Sequence, residues 1–202
     1  MKLIVNYRLI FFAFIVFLFE ACQNRTVTNE LSKEQKNINV LQEYKNVSDS
    51  LTNSWHKMIV ADDKKIDDIG RLIDEISYTK KYNLFLLDSV KFLQSKLQNK
   101  RYTQLSMENS ELINAYDAAT DSLIGMVFRL AKTTPSIDQY PTAMQLVQDI
   151  NNSDNEVVIY RVRYDAWVRI YNDLMKRHSK EIKSKLSGEP KQEKYYLFSL
   201  NE

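Results

Sequence analysis

Almost nothing in this chain can stop a helix. No proline lies between Cys22 and Pro135, and the 202 residues include only 3 glycines and 3 prolines. Proline removes a backbone donor and clashes with the preceding turn, and an interior glycine costs about 1 kcal/mol relative to alanine. A chain this poor in both is built for long helices joined by few connections. Its length suits one domain plus a targeting segment.

Apolar spacing supports that expectation. From Ile38 onward, Val40, Tyr44, Val47 and Leu51 recur at three- and four-residue intervals. Trp55, Met58 or Ile59, Asp62, Ile66, Ile69, Ile73 and Ile76 continue the stripe after one shift of phase. A narrow apolar stripe on an otherwise charged segment predicts an amphipathic helix over residues 35–79, with Gly70 its weakest point. Leu84, Leu87, Val90, Leu93 and Leu97 predict a second helix over 83–99, followed by a loop at 100–107. Leu112, Tyr116, Ala119, Leu123, Met126, Val127 and Leu130 predict a third over 108–132. The connection TTPSIDQYP leads to a fourth over 142–186, marked by Ala143, Val147, Ile150, Val157, Tyr164, Val168, Tyr171, Met175 and Ile182 and stopped near Gly188-Glu189-Pro190. Short connections place neighbours antiparallel. The expected fold is an all-α antiparallel bundle over 37–187, with long first and last helices, two shorter ones between, and a tail at 188–202.

The N-terminus reads as a targeting segment. Lys2 and Arg8 precede the apolar run Leu9–Phe19, which suits a signal peptide and falls short of the roughly 20 residues of a bilayer span. The run ends in Glu20-Ala21-Cys22, which resembles a bacterial lipobox, with Glu20 departing from the usual pattern. The resemblance implies removal of residues 1–21 and acylation of Cys22, which anchors the chain outside the cytoplasm; multiple acyl chains give a stable anchor. The alternative is an uncleaved signal anchor, which would bury Arg8 in hydrocarbon at high cost. Gln23, in place of aspartate, points by the enterobacterial sorting rule to the outer membrane of a host that has one. Residues 23–36 are polar and aperiodic and read as a flexible tether. Cys22 is the single cysteine, so no internal disulfide can form. The net charge is +2 and falls to +1 without residues 1–21, which gives no electrostatic pull toward nucleic acid; Lys80-Lys81 and Lys100-Arg101 read as solvated surface.

Two stretches resemble the LemA family of bacterial membrane-associated helical proteins. In the first, Trp55, Lys64-Lys65, Asp67, Ile69, Leu72 and Ile73 fall in register with the family pattern, with lysines where arginines are usual and Gly70 where proline is usual. In the second, Tyr140-Pro141, Leu146, Asp154-Asn155, Arg161, Tyr164-Asp165 and Tyr171-Asn172 match or replace closely. The resemblance implies an antiparallel helical bundle near a membrane and imports no reaction.

Several polar and aromatic residues fall on or beside the predicted seam. Asp62 sits on the first helix's stripe, and the heptad of the fourth places Asp154, Arg161 and His178 on its apolar face. A charge inside a bundle must be paired. Asp154 lies seven residues from Arg161, about 10.5 Å along the axis, so Asp62 across the helices is the expected partner of Arg161. Such a layer fixes helix register, or else builds a ligand site. Trp55, Tyr160, Tyr164 and Trp167 are either core packing or contacts for a ligand or partner. The cluster Tyr195, Tyr196, Leu197, Phe198 and Leu200 either packs on the bundle, ends disordered, or docks on a partner.

Catalytic patterns are missing. His56 and His178 share no metal-ligand spacing, and no His-Glu-x-x-His, Gly-x-Ser-x-Gly or P-loop occurs. Asp62-Asp63 and Asp67-Asp68 are interleaved with Lys64-Lys65 and read as a solvated, ion-paired face rather than a cation site. The expectation is a lipid-anchored envelope scaffold or interaction module with an envelope protein partner, no enzymatic activity, no metal and no cofactor. The second reading is a peptide or small-ligand module with a groove between helices. A hydrolase has only generic carboxylates behind it.

Overall fold

The computed structural model describes residues 7–186 and 192–198, with side chains from Asn39 onward except Gln98. Its elements are α1 (Tyr7–Tyr78), α2 (Leu84–Leu97), α3 (Ser110–Thr133) and α4 (Pro141–Lys185), with single 3-10 turns at Gln98–Lys100, Ser106–Glu108 and Ile137–Gln139. The all-α bundle with long outer and short inner helices is as expected. α1 packs chiefly on α4, and α2 on α3. Contacts run antiparallel: Tyr44 meets Tyr171, Trp55 meets Tyr164, and Lys65 meets Asp154. The α2–α3 hairpin lies against the C-terminal half of α1, where Tyr116 faces Asp62. The molecule is therefore four helices thick at that end and a two-helix rod at the other.

Local chemistry explains the boundaries. Thr79 donates its hydroxyl to the Ile76 carbonyl, and Lys80 turns left-handed at φ 54°, which ends α1. The Asn83 side chain accepts the Leu86 N–H at the start of α2, and Asn109 accepts the Glu111 N–H at the start of α3. Pro141 occupies the first turn of α4, where its missing donor costs nothing. His178 leaves helical geometry inside α4 at φ −127° and ψ 15°.

Two expectations need correction. The helical backbone of α1 begins at Tyr7 and includes 23–36, the segment read as a tether; no glycine or proline in that segment interrupts it. Met1–Asn6 and the side chain of Cys22 lie outside the described residues, as do residues 187–191 and 199–202 of the tail. The stripe expected beyond Trp55 is present, with Met58, Asp62, Ile69, Ile73 and Ile76 buried, but the earlier phase continues beside it instead of giving way to it. Leu51, Ser54, Met58, Ala61, Lys65, Asp68 and Leu72 are all buried at alternating three- and four-residue steps. The seam continues without a break because polar residues carry it, which a count of apolar residues alone misses. Trp55 and Ile66 flank the seam half-buried.

The core is continuous from Val40 to Ile182 and includes Leu72, Ile76, Val90, Leu123, Leu130, Ile150 and Val168. Burying each such side chain contributes about 1.5–3 kcal/mol. α2 leaves Leu84, Phe85 and Phe92 exposed.

Gly70 sits where α2 approaches α1; a Cβ there would meet only the Gln94 side-chain nitrogen, at 3.0 Å. Gln94 is half-exposed and can rotate away. Gly70→Ala is expected to stabilise the bundle by about 0.5–1 kcal/mol through helix propensity, read as a raised midpoint in urea unfolding followed by circular dichroism.

Candidate functional site

The polar part of the α1 seam forms a closed ionic layer. Asp62 and Lys65, one turn apart, are 5% and 3% exposed. The Lys65 ammonium lies 3.2 Å from Asp62 Oδ1, as an ion pair without hydrogen-bond alignment, and donates to Asp154 Oδ1 of α4 at 2.9 Å. Asp62 Oδ2 accepts the Tyr116 hydroxyl from α3 and Arg101 Nη2 at 2.9 Å. Arg101 also reaches Asp63 at 2.6 Å. One turn further on, buried Asp68 accepts Lys64 at 2.6 Å and Arg71 at 2.9 Å. Burial pushes the Asp62 carboxyl up, but Lys65 and the hydrogen bonds from Tyr116 and Arg101 outweigh it and hold the group below its usual value. Burial also raises the Tyr116 phenol, and the neighbouring Asp62 charge adds to the effect.

Arg161 does not pair with Asp62. Its guanidinium makes a bidentate contact with Asp117 of α3, both bonds 2.7 Å, and donates to the Tyr102 hydroxyl at 2.9 Å. Asp62 is already taken by two cations, and α3 brings a carboxylate nearer to Arg161 than α1 does. Burial, partly offset by Arg161, pushes the Tyr102 phenol up to about 12. Asp154 lies at the margin of the layer with its side chain 45% exposed, and Ser153 holds the buried position. His178 bonds Glu181 at 2.7 Å, far from this layer.

Next to the layer lies an aromatic cluster. Trp55, Tyr102 and Tyr164 surround Phe198, with centroids 6.1, 5.9 and 5.5 Å from its ring. The Arg161 guanidinium sits 4.8 Å from the centroid of the same ring. Phe198 belongs to the tail, and α4 holds that tail by its main chain. Asn172 donates to the Tyr195 carbonyl at 2.8 Å and accepts the Tyr195 N–H at 3.0 Å. Asp165 accepts the Phe198 N–H at 2.9 Å, and the Tyr171 hydroxyl donates to the Gln192 carbonyl at 2.7 Å. Tyr195 packs edge-on to Tyr171 at 4.9 Å. Of the aromatics singled out from the sequence, Trp55 and Tyr164 belong to this cluster. Trp167 packs against the main core, and Tyr160 covers a small one of Met58, Ala61 and Val157.

A model of the LemA family matches residues 54–202, most of the chain. The chain belongs to the LemA family. No curated protein and no solved structure matches it. The LemA match takes in both stretches that carry the resemblance, and the structure brings them together: Lys64-Lys65 meets Ser153 and Asp154, and the pairs Tyr164-Asp165 and Tyr171-Asn172 hold the tail.

Sequence reasoning missed Lys65, Arg101, Tyr102, Tyr116, Asp117 and Phe198 as members of one assembly. An unshifted heptad through Lys65 and Asp68 would have placed both on the seam. Arg101, read as solvated surface, carries no local signal: it lies between two 3-10 turns and reaches Asp62 only because the α2–α3 hairpin folds back.

Replacing Asp62 leaves Lys65 with Asp154 alone and Arg101 with Asp63 alone. Asp62→Asn is expected to cost about 3 kcal/mol near neutral pH. Because the folded-state value lies below the reference of 3.8, Asp62 contributes stability above that pH and loses it as pH falls through the folded value. The variant's unfolding free energy should therefore fall less steeply than that of the unmodified chain on acidification below 3.8, in parallel urea titrations.

Proposed function

We propose that this LemA-family chain is a lipid-anchored envelope protein, held outside the cytoplasm through Cys22, whose bundle acts as a non-catalytic scaffold or interaction module for an envelope protein partner. The observation that carries the anchoring is the N-terminal order of Lys2 and Arg8, the apolar run Leu9–Phe19, and Ala21-Cys22. Among the described residues no helix is long and apolar enough to cross a membrane.

The chemistry of the ionic layer favours a structural role. A general acid or base working near neutrality needs a carboxyl raised, or a phenol lowered, toward that pH. Here Asp62 is held down and Tyr102 and Tyr116 are pushed up, each away from neutrality. Asp62, Asp68, Asp117 and Asp154 all have cationic partners. Neither the cleft beside the layer, about 290 Å³ and lined by Asp63, Leu97, Arg101 and Tyr116, nor the wider one that adjoins it at Ile66 and Asp67, about 660 Å³, touches any of the four aromatics proposed from the sequence.

Two measurements on cell envelopes test the anchoring. The mature chain should begin at Cys22 with the added mass of its acyl groups and should partition into detergent. Cys22→Ala should lose the acyl mass and the processing. A chain that keeps Met1 through Ala21 would overturn the reading in favour of a signal anchor. Crosslinking in intact envelopes should capture a reproducible protein partner.

A further inference from the structure

The way α4 holds the tail is that of a receptor holding a peptide. Residues 192–198 form no helix or strand; they lie along α4 with their backbone bonded to its side chains. The Asn172 amide meets both the N–H and the carbonyl of Tyr195, which reads an extended main chain whatever its sequence. Asp165 repeats the contact at the Phe198 N–H. Asp165 and Asn172 are seven residues apart, about 10.5 Å on a helix. Tyr195 and Phe198 are three apart, about 10 Å in an extended chain. The two repeats match, so α4 acts as a ruler for an extended segment running opposite to it. Side-chain selection falls at the two ends of the ruler: a Tyr44–Tyr171 socket for residue 195 and a Trp55–Tyr102–Tyr164–Arg161 socket for residue 198.

The occupant is held only in part. Tyr195 is buried, but Tyr196, Leu197 and Phe198 are half-exposed. Arg161 keeps its buried Nε without a hydrogen-bond partner among the described residues, although its other two nitrogens are used. A peptide that carries an acceptor beside its second aromatic residue would satisfy it.

We propose that the α1–α4 face between Asn172 and Arg161 is a binding site for an extended segment of another protein with aromatic residues three apart, which this chain's own Tyr195–Phe198 occupies in cis. The inference goes beyond the scaffold reading and does not depend on the lipid anchor. A tail tethered this closely has an effective concentration on the order of millimolar, so it competes strongly with any segment arriving in trans.

The test uses the full chain in detergent and a fluorescein-labelled peptide of its last 12 residues, KQEKYYLFSLNE, followed by anisotropy. Tyr195→Ala combined with Phe198→Ala empties both sockets and should bind the peptide at least tenfold more tightly than the unmodified chain does. A peptide with both aromatics replaced by alanine should not bind. A gain below tenfold, or equal binding of the alanine peptide, overturns the proposal. Asn172→Ala gives an arm that leaves every aromatic in place: the amides of Tyr195 and Phe198 should exchange with deuterium at least tenfold faster while α1 and α4 are unchanged. Faster exchange spreading through α1 and α4 would make the tail an integral part of the bundle and overturn the proposal. So would a dimer of the unmodified chain that the double variant loses, because the site would then belong to a second copy's tail.

Discussion

An aspartate and a lysine buried one turn apart on a single helix constrain everything around them. Asp62 and Lys65 together lie almost wholly out of water. Their mutual contact, 3.2 Å and poorly aligned, does not satisfy either one. Two charges in that setting lose several kcal/mol of solvation each, so neighbouring helices must supply partners. α4 supplies Asp154, the connection after α2 supplies Arg101, and α3 supplies Tyr116. Each partner reaches the layer only at one relative height of its helix, so the layer sets the register in which apolar residues above and below it interlock.

The same layer divides the molecule. On the four-helix side the core is aliphatic, with Ile69, Leu72, Leu123 and Leu130 wholly buried. On the rod side two helices cannot enclose a core of their own, and aromatic side chains with the returning tail fill the gap. Tyr44, Tyr171 and Tyr195 form one contact group and Trp55, Tyr164 and Phe198 another. In this structure the tail occupies the space that the pair of helices leaves open there. Arg161 joins the two environments: it is ion-paired to Asp117 on one side and stacked on Phe198 on the other.

The ion pairs of the layer also bear on chemistry. With Asp62 held below its usual value and Tyr102 and Tyr116 pushed up, these three groups change protonation away from neutrality, and their contacts serve to fix geometry.

Helix existence, number and type, and the long–short–short–long order, could be read from the scarcity of glycine and proline and from the spacing of Val40, Tyr44, Val47 and Leu51, because a helix's periodicity is set within the helix itself. The polar character of the seam was legible at Asp62 and Arg161 for the same reason: burial follows from heptad position. Which charge meets which was not. Arg101 is 39 residues from Asp62, and Asp117 is 44 from Arg161. Those pairings depend on how far the α2–α3 hairpin folds back, a distance that no local pattern encodes. The tail's aromatics stood out by composition, yet their sockets exist only once α1 and α4 lie side by side, since neither helix alone surrounds a phenylalanine ring.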